Sequence, residues 1–376
     1  EHAMDTEHST AVRGGHDFAL RCAPAARGAA RQWRTAMVCL LILAVGLLER
    51  RGWGQEQPAG TMKLAVSTAS FGRAFRENKL TVLDFPEVCA RAGVEALELN
   101  DFCLNGDWTI IRELRQRAGK AGLDVCAVAV ESNFYRTSPA EIERERRHIE
   151  EYVGIAAYLG APLLRVNTCP YAKQLPAAII PPGVTEDMAF AAAVQTFRSL
   201  MPLAEQHGIT FVLENHGGIS RTSADQIKIT RAVGSKWFRI NLDTGNYHAD
   251  PMAGTDPFED FLEATSKVAP YLAFCHAKIW DVTDDLREPT LDYDRFFVLL
   301  RKLNYQGPIS IEFMGTKDVM EMLPKCVALL KRCRAEQHQS ARPPSHRLVP
   351  PGEHRGSSHG RGRAACALGR SCAAHC

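Results

Sequence analysis

Between Met62 and Cys333 one pattern recurs eight times: a short apolar or β-branched run, then a longer stretch of helical period, with Gly, Pro or Asp between them. This alternation constrains the fold more than any other feature. A run that is apolar on both faces must be covered on both, and helices placed between successive strands supply that cover in a parallel sheet. The strand candidates are Lys63–Phe71, Val94–Asn100, Asp124–Asn133, Leu163–Pro170, Thr210–Asn215, Phe238–Asp243, Tyr271–Lys278 and Pro308–Met314. Helical period marks Val82–Arg91, Trp108–Ala121, Pro139–Leu159, Thr185–Gln206, Ser223–Val233, Pro257–Val268, Tyr293–Leu303 and Lys317–Arg332. Gly93, Gly122, Gly160, Gly208 and Gly234 close several of these helices, where a left-handed residue turns the chain back. Eight such units predict an α/β fold, a single (β/α)8 barrel. No glycine-rich phosphate loop follows the first strand, which disfavours a dinucleotide-binding doubly wound sheet.

The barrel accounts for residues 62–334 as one catalytic domain, with 1–61 and 335–376 as non-core extensions. Upstream, the thirteen apolar residues Ala36–Leu48 are flanked by Arg31, Arg34, Arg50 and Arg51. The run is too short for a comfortable membrane span, which needs about 20 residues. It has the length of a signal-peptide core, but no small-residue cleavage site follows. A chain that starts at Met62 and stays in the cytoplasm is one expectation; export is the alternative if Ala36–Leu48 acts as a signal. Downstream, Arg, His, Gly, Ala and Cys dominate to Cys376, which predicts a solvated, disordered basic tail.

Seven of the 12 cysteines fall singly within the barrel segment, without a CxxC pair, and are expected to be reduced and buried. The formal net charge of +2 makes no electrostatic case for nucleic acid. The expected partner is a small sugar-like molecule, with a homo-oligomer allowed and no stable membrane span.

In a barrel of this kind, working residues stand where strands end. The last four strands finish on Glu214 (FVLENHGG), Asp243 (INLDTGNYH), His276 (AFCHAKIWD) and Glu312 (ISIEFMG). A charged group at the end of a buried strand is costly unless it is paired or on a metal. Three carboxylates and an imidazole suit Mn2+, with Mg2+ or Co2+ as alternatives, better than a thiolate-type structural zinc. Further candidates for substrate contact are Lys278 and His216, which share faces with His276 and Glu214, together with Asn246, His248, Arg165 and Asn133. Lys278 could instead pair with Asp281, and Arg165 with Glu98.

With LDTG after the sixth strand and HAK after the seventh, the quartet resembles the xylose isomerase-like TIM-barrel superfamily of sugar phosphate isomerases and epimerases. That resemblance implies a divalent ion held by Glu214, Asp243, His276 and Glu312. It also implies proton transfer between Glu214 and Glu312 through a metal-stabilised enediolate of a ketose-like sugar or sugar phosphate. Two positions depart from the ketose 3-epimerases of the family. Asn246 stands where they resemble one another in having histidine, and Val282 where they tend to have arginine. An endonuclease IV-like role would need more histidines and a basic surface. Dehydratases of the inosose or dehydroshikimate type use a similar quartet and form the alternative reading. A barrel that only binds sugar has no need of two glutamates.

Overall fold

The computed structural model describes residues 62–170, 180–247 and 257–335. Ala36–Leu48, His248 and the tail beyond Ala335 lie outside the described residues. Among the described residues, no helix is long and apolar enough to cross a membrane.

Eight parallel strands close into a barrel in sequence order: β1 Leu64–Ser67, β2 Ala96–Asn100, β3 Asp124–Val130, β4 Leu163–Val166, β5 Thr210–Glu214, β6 Phe238–Asp243, β7 Leu272–Ile279 and β8 Ile309–Phe313. The closing pair is β8 with β1, where Leu64 meets Ile309. After the strands come helices α1 Phe85–Ala92, α2 Trp108–Lys120, α3 Pro139–Leu159, α4 Glu186–His207, α5 Ser223–Val233, α6 Phe261–Val268, α7 Tyr293–Lys302 and α8 Val319–Ala335. Pro86 falls within the first turn of α1, where its missing N–H costs no helical bond. The α3 start is set by a capping box in which Ser138 and Glu141 satisfy each other's backbone N–H groups.

Several strands are shorter than their apolar runs. β1 ends at Ser67 because the Ser67 hydroxyl accepts from the Ala69 N–H and opens a 3-10 turn, Thr68–Phe71. Beyond β3 and β4, the Asn167 side chain takes the place of the backbone ladder and accepts from the Ser132 N–H at 2.7 Å. Asn133, expected at the end of a strand, therefore lies in a loop. Its side chain accepts from the Tyr135 N–H at 2.9 Å. α6 begins at Phe261 rather than Pro257, since the Asp260 carboxylate caps it through Glu263 N–H.

Alternation along each strand divides the core in two. The outward side chains pack against the helices in one large apolar cluster. The inward ones stack in layers. At the N-terminal end the lumen is filled by Ala65, Ala96, Cys126, Ala127, Leu163, Val212 and Phe274. This apolar plug forms a floor beneath a buried polar cluster. The seven barrel cysteines are free thiols, six of them buried, and burial pushes Cys275 up to about 12.

Candidate metal centre and its supporting charges

Above the floor, Glu214, Asp243, His276 and Glu312 converge. Each offers one ligand atom, and the four atoms lie within 4.8 Å of one another. Donors around a single divalent ion at about 2.0–2.4 Å cannot be further apart than about twice that distance, so one ion fits between them. The register explains the meeting. Asp243 and His276 are Cα partners across β6 and β7, as are Lys278 and Glu312 across β7 and β8. Side chains at such partner positions leave the sheet on the same side. The pairing register shifts between Leu97 and Glu98 where β2 meets β3, and between Ile240 and Asn241 where β6 meets β7.

His276 Nδ1 sits centrally, 3.4 Å from Glu214 Oε1, 3.4 Å from Glu312 Oε1 and 3.7 Å from Asp243 Oδ2. Its other nitrogen is held from below: Nε2 lies 3.0 Å from Glu98 Oε1, and Ser310 donates to Glu98 Oε2 at 2.7 Å. A carboxylate on Nε2 fixes the ring and leaves Nδ1 aimed into the cluster, the usual arrangement behind a metal-bound imidazole. Burial opposes a charge on His276, but Glu98, Glu312 and Glu214 outweigh it and hold the imidazole well above its ordinary value. The cluster therefore draws positive charge to that point.

Glu214 Oε1 accepts from Asn246 Nδ2 at 3.0 Å, and Oε2 lies 3.2 Å from Arg165 Nε. Burial would raise the Glu214 carboxyl, yet His216, Arg165 and His276 together keep it below its ordinary value. Glu312 is likewise held low against burial, chiefly by Lys278 and His276. Asp243 Oδ1 accepts from the Gly245 N–H at 2.8 Å. That leaves Glu214 Oε2, Asp243 Oδ2, His276 Nδ1 and Asn246 Oδ1 buried without a well-directed hydrogen bond. Of these, Glu214 Oε2 and Asp243 Oδ2 face the cations of Arg165 and Lys278, and together with His276 Nδ1 they form a buried donor set suited to a cation.

Charge supports the same conclusion. Glu98, Glu214, Asp243 and Glu312 contribute four negative charges when ionised, and Arg165 and Lys278 two positive ones, all on side chains at most 6% exposed. A metal-bound imidazole is neutral, and with His276 in that state the buried set would carry two uncompensated negative charges, the number that one divalent cation neutralises.

The structure corrects two pairings expected from the sequence. Arg165 does not pair with Glu98. Its NH1 donates to Glu131 Oε1 at 2.8 Å while its Nε approaches Glu214, and Glu98 turns to His276 instead. Nor does Lys278 pair with Asp281, which binds Lys317; Lys278 Nζ bridges Asp243 Oδ2, at 2.8 Å, and Glu312 Oε2. Lys278 finds its partners on the adjacent strands β6 and β8, and Arg165 finds its own on β5 and in the loop after β3. His216 places Nδ1 3.1 Å from Asn167 Nδ2 and 3.2 Å from the Cys169 carbonyl, so it braces the mouth and adds positive potential at Glu214. Glu131 was missed altogether. It follows β3 outside any motif, and its role shows only through Arg165 and Asn167.

Comparison with solved structures returns the same architecture. A D-psicose 3-epimerase from Clostridium cellulolyticum H10 is 16% identical over 73% of this chain and 98% of its own, with a TM-score of 0.59. A 3-keto-D-glucoside 4-epimerase from E. coli is 18% identical over 72% and 100%, at 0.58. A probable 3-DHS dehydratase from Bacillus anthracis is 16% identical over 72% and 99%, at 0.52. These likenesses concern the fold. No curated protein matches the sequence. The family model described as xylose isomerase-like TIM barrel matches residues 86–332, most of the chain and nearly all of the barrel, and the protein belongs to that family.

Proposed function

We propose that residues 62–334 form the catalytic domain of a divalent-metal-dependent isomerase or epimerase acting on a ketose-like sugar or sugar phosphate. The single observation that carries this reading is the placement of Glu214 and Glu312. They stand on non-adjacent strands, each 3.4 Å from the same imidazole nitrogen, with a buried cation behind each carboxylate. A substrate lying over the cluster would have one carboxylate on either side, as proton removal and return require.

Glu214, Asp243, His276 and Glu312 would hold the ion, with Mn2+ the best match to a donor set of three carboxylates and one imidazole. When bound, the ion would supply the positive charge that a developing enediolate needs. The chain supplies the rest. Glu214 accepts the proton from the carbon next to the carbonyl. Its base strength is moderated by Arg165, and Asn246 orients it. Glu312, on the opposite face, would take a proton from solvent and return it to the carbon, the Lys278 ammonium stabilising the carboxylate left behind. Glu214 would lose its acquired proton to solvent before the next turnover. Asn246, not the histidine of ketose 3-epimerases, meets Glu214, so this chain recognises substrate oxygens differently from those enzymes.

One observation favours a second reading, a dehydratase of inosose or dehydroshikimate type. Lys278 places N–H donors beside Glu312, where they could assist the departure of a β-hydroxyl. Incubating Mn2+-loaded protein with ketoses, sugar phosphates and inososes in D2O separates the two. Deuterium on carbon without loss of water is expected for isomerisation; a dehydrated product would select the second reading. No exchange with any member of the panel would end both.

A further inference from the structure

We propose that Lys278 is the resident counter-ion of the cation site. Its ammonium joins Asp243 to Glu312 when the site lacks metal, gives up Asp243 to an incoming divalent ion, and remains on Glu312 facing the substrate. The proposal rests on the metal reading of the quartet and goes beyond it by giving Lys278 a competing role.

Three observations carry it. Lys278 Nζ contacts Asp243 Oδ2 at 2.8 Å and Glu312 Oε2. Two of the four metal-competent residues therefore already share one internal cation. The two oxygens of Asp243 also differ. Oδ1 is tied to the Gly245 N–H, whereas Oδ2 faces His276 Nδ1 at 3.7 Å and meets the ammonium at 2.8 Å. When the partner of Oδ2 changes from one cation to another, the backbone tie through Oδ1 need not change.

The lysine stem, in turn, is gripped. A Cβ on Gly245 would lie 2.6 Å from Lys278 Cβ and 2.5 Å from Trp280, the Lys278 N–H donates to Thr244 Oγ1 at 3.1 Å, and Tyr293 donates to the Lys278 carbonyl at 2.7 Å. The backbone and the first part of the stem are held, with the ammonium in contact with both carboxylates. The glycine of LDTG and the lysine of HAK are thus one unit, since only a residue without Cβ lets the two strands bring that stem so close. An ammonium and a divalent ion sharing Oδ2 would repel strongly in so buried a place, so occupancy by one opposes the other.

This reverses the sign expected of a simple buttress. Removing an ordinary supporting residue weakens metal binding, but removing a competing counter-ion strengthens it. Mn2+ titration by calorimetry without sugar, on the full chain, reads the difference. Lys278→Gln and Lys278→Met are expected to tighten Mn2+ binding by about tenfold or more. Lys317→Met, which deletes the same charge at the rim, is expected to change it by less than about twofold. The thermal midpoint without metal should fall in the Lys278 variants, and its rise on Mn2+ addition should exceed that of the wild type.

Unchanged or weaker affinity in both variants overturns the proposal. A variant that folds only with Mn2+ supports it, and one that stays unfolded at saturating Mn2+ overturns it, because the lysine would then serve the fold rather than the empty site. A wild-type protein that binds no Mn2+ defeats the metal reading itself, whereas tight wild-type binding that is insensitive to Lys278 defeats the counter-ion role alone.

Discussion

The two halves of the barrel mouth are built differently. β5 to β8 place Glu214, Asp243, His276 and Glu312 directly at the centre, Glu214 and Asp243 as the last residues of their strands and His276 and Glu312 just inside the ends of theirs. β2 to β4 contribute the groups behind them: Glu98 under His276, and Arg165 with Glu131 beside Glu214. One half presents donors to a cation, and the other fixes where those donors point and how strongly they hold protons. Ligands alone would form a loose, highly charged cluster; the opposing half makes it one geometry.

Testing that division starts with the largest effect. Glu312→Gln is expected to lower hydron exchange into the sugar carbon by about 10²- to 10⁴-fold, while Mn2+ binding measured by calorimetry survives. Exchange at wild-type rates would remove Glu312 from the proton path. Next comes Arg165→Met, which leaves Glu131 and Glu214 facing each other without their shared cation. Loss of one partner from a buried pair costs about 3–5 kcal/mol, readable in urea denaturation without metal. A loss under about 1 kcal/mol would mean that the β2–β4 half does not hold Glu214 at all.

Glu98→Gln probes the same half through the imidazole. Mn2+ affinity should weaken by about 10- to 100-fold, with little change in the global fold by circular dichroism. Full wild-type affinity would show that His276 is aimed without Glu98.

The smallest effect lies outside both halves, in the loop after β7. Burial raises the Glu288 carboxyl to about 7, although backbone N–H groups of Thr290 and Leu291 donate to it. A carboxyl raised in the native state keeps its proton after the unfolded chain has lost its own, so stability falls as pH rises from the unfolded value through about 7 and stays lowered above it. Glu288→Gln is therefore expected to stabilise the protein at pH 8 by about 1–2 kcal/mol and to be nearly neutral at pH 4. A gain that does not depend on pH would trace to packing instead.

How far the site could be read from the chain follows the same division. Glu214, Asp243, His276 and Glu312 were visible because each ends an apolar run, a local pattern that needs no knowledge of the fold. Arg165 and Lys278 were visible as residues, but the pairings considered for them, Glu98 for Arg165 and Asp281 as an alternative for Lys278, did not hold, because the sequence offers residue types but not the cross-barrel geometry. Glu131 was invisible, being a half-exposed glutamate in a loop until Arg165 reaches it from β4.

By itself, then, the sequence determined the eight alternating units, the glycine-closed helices and the strand ends that carry ionisable groups. These rest on short-range physics: period, turn conformation and the cost of burying charge. Tertiary structure alone decided which cation stands behind which carboxylate. Those pairings arise only when the sheet closes and its register brings residues as distant as Glu98 and His276 to 3.0 Å. No local pattern encodes that distance, because it is set by the register of eight strands together.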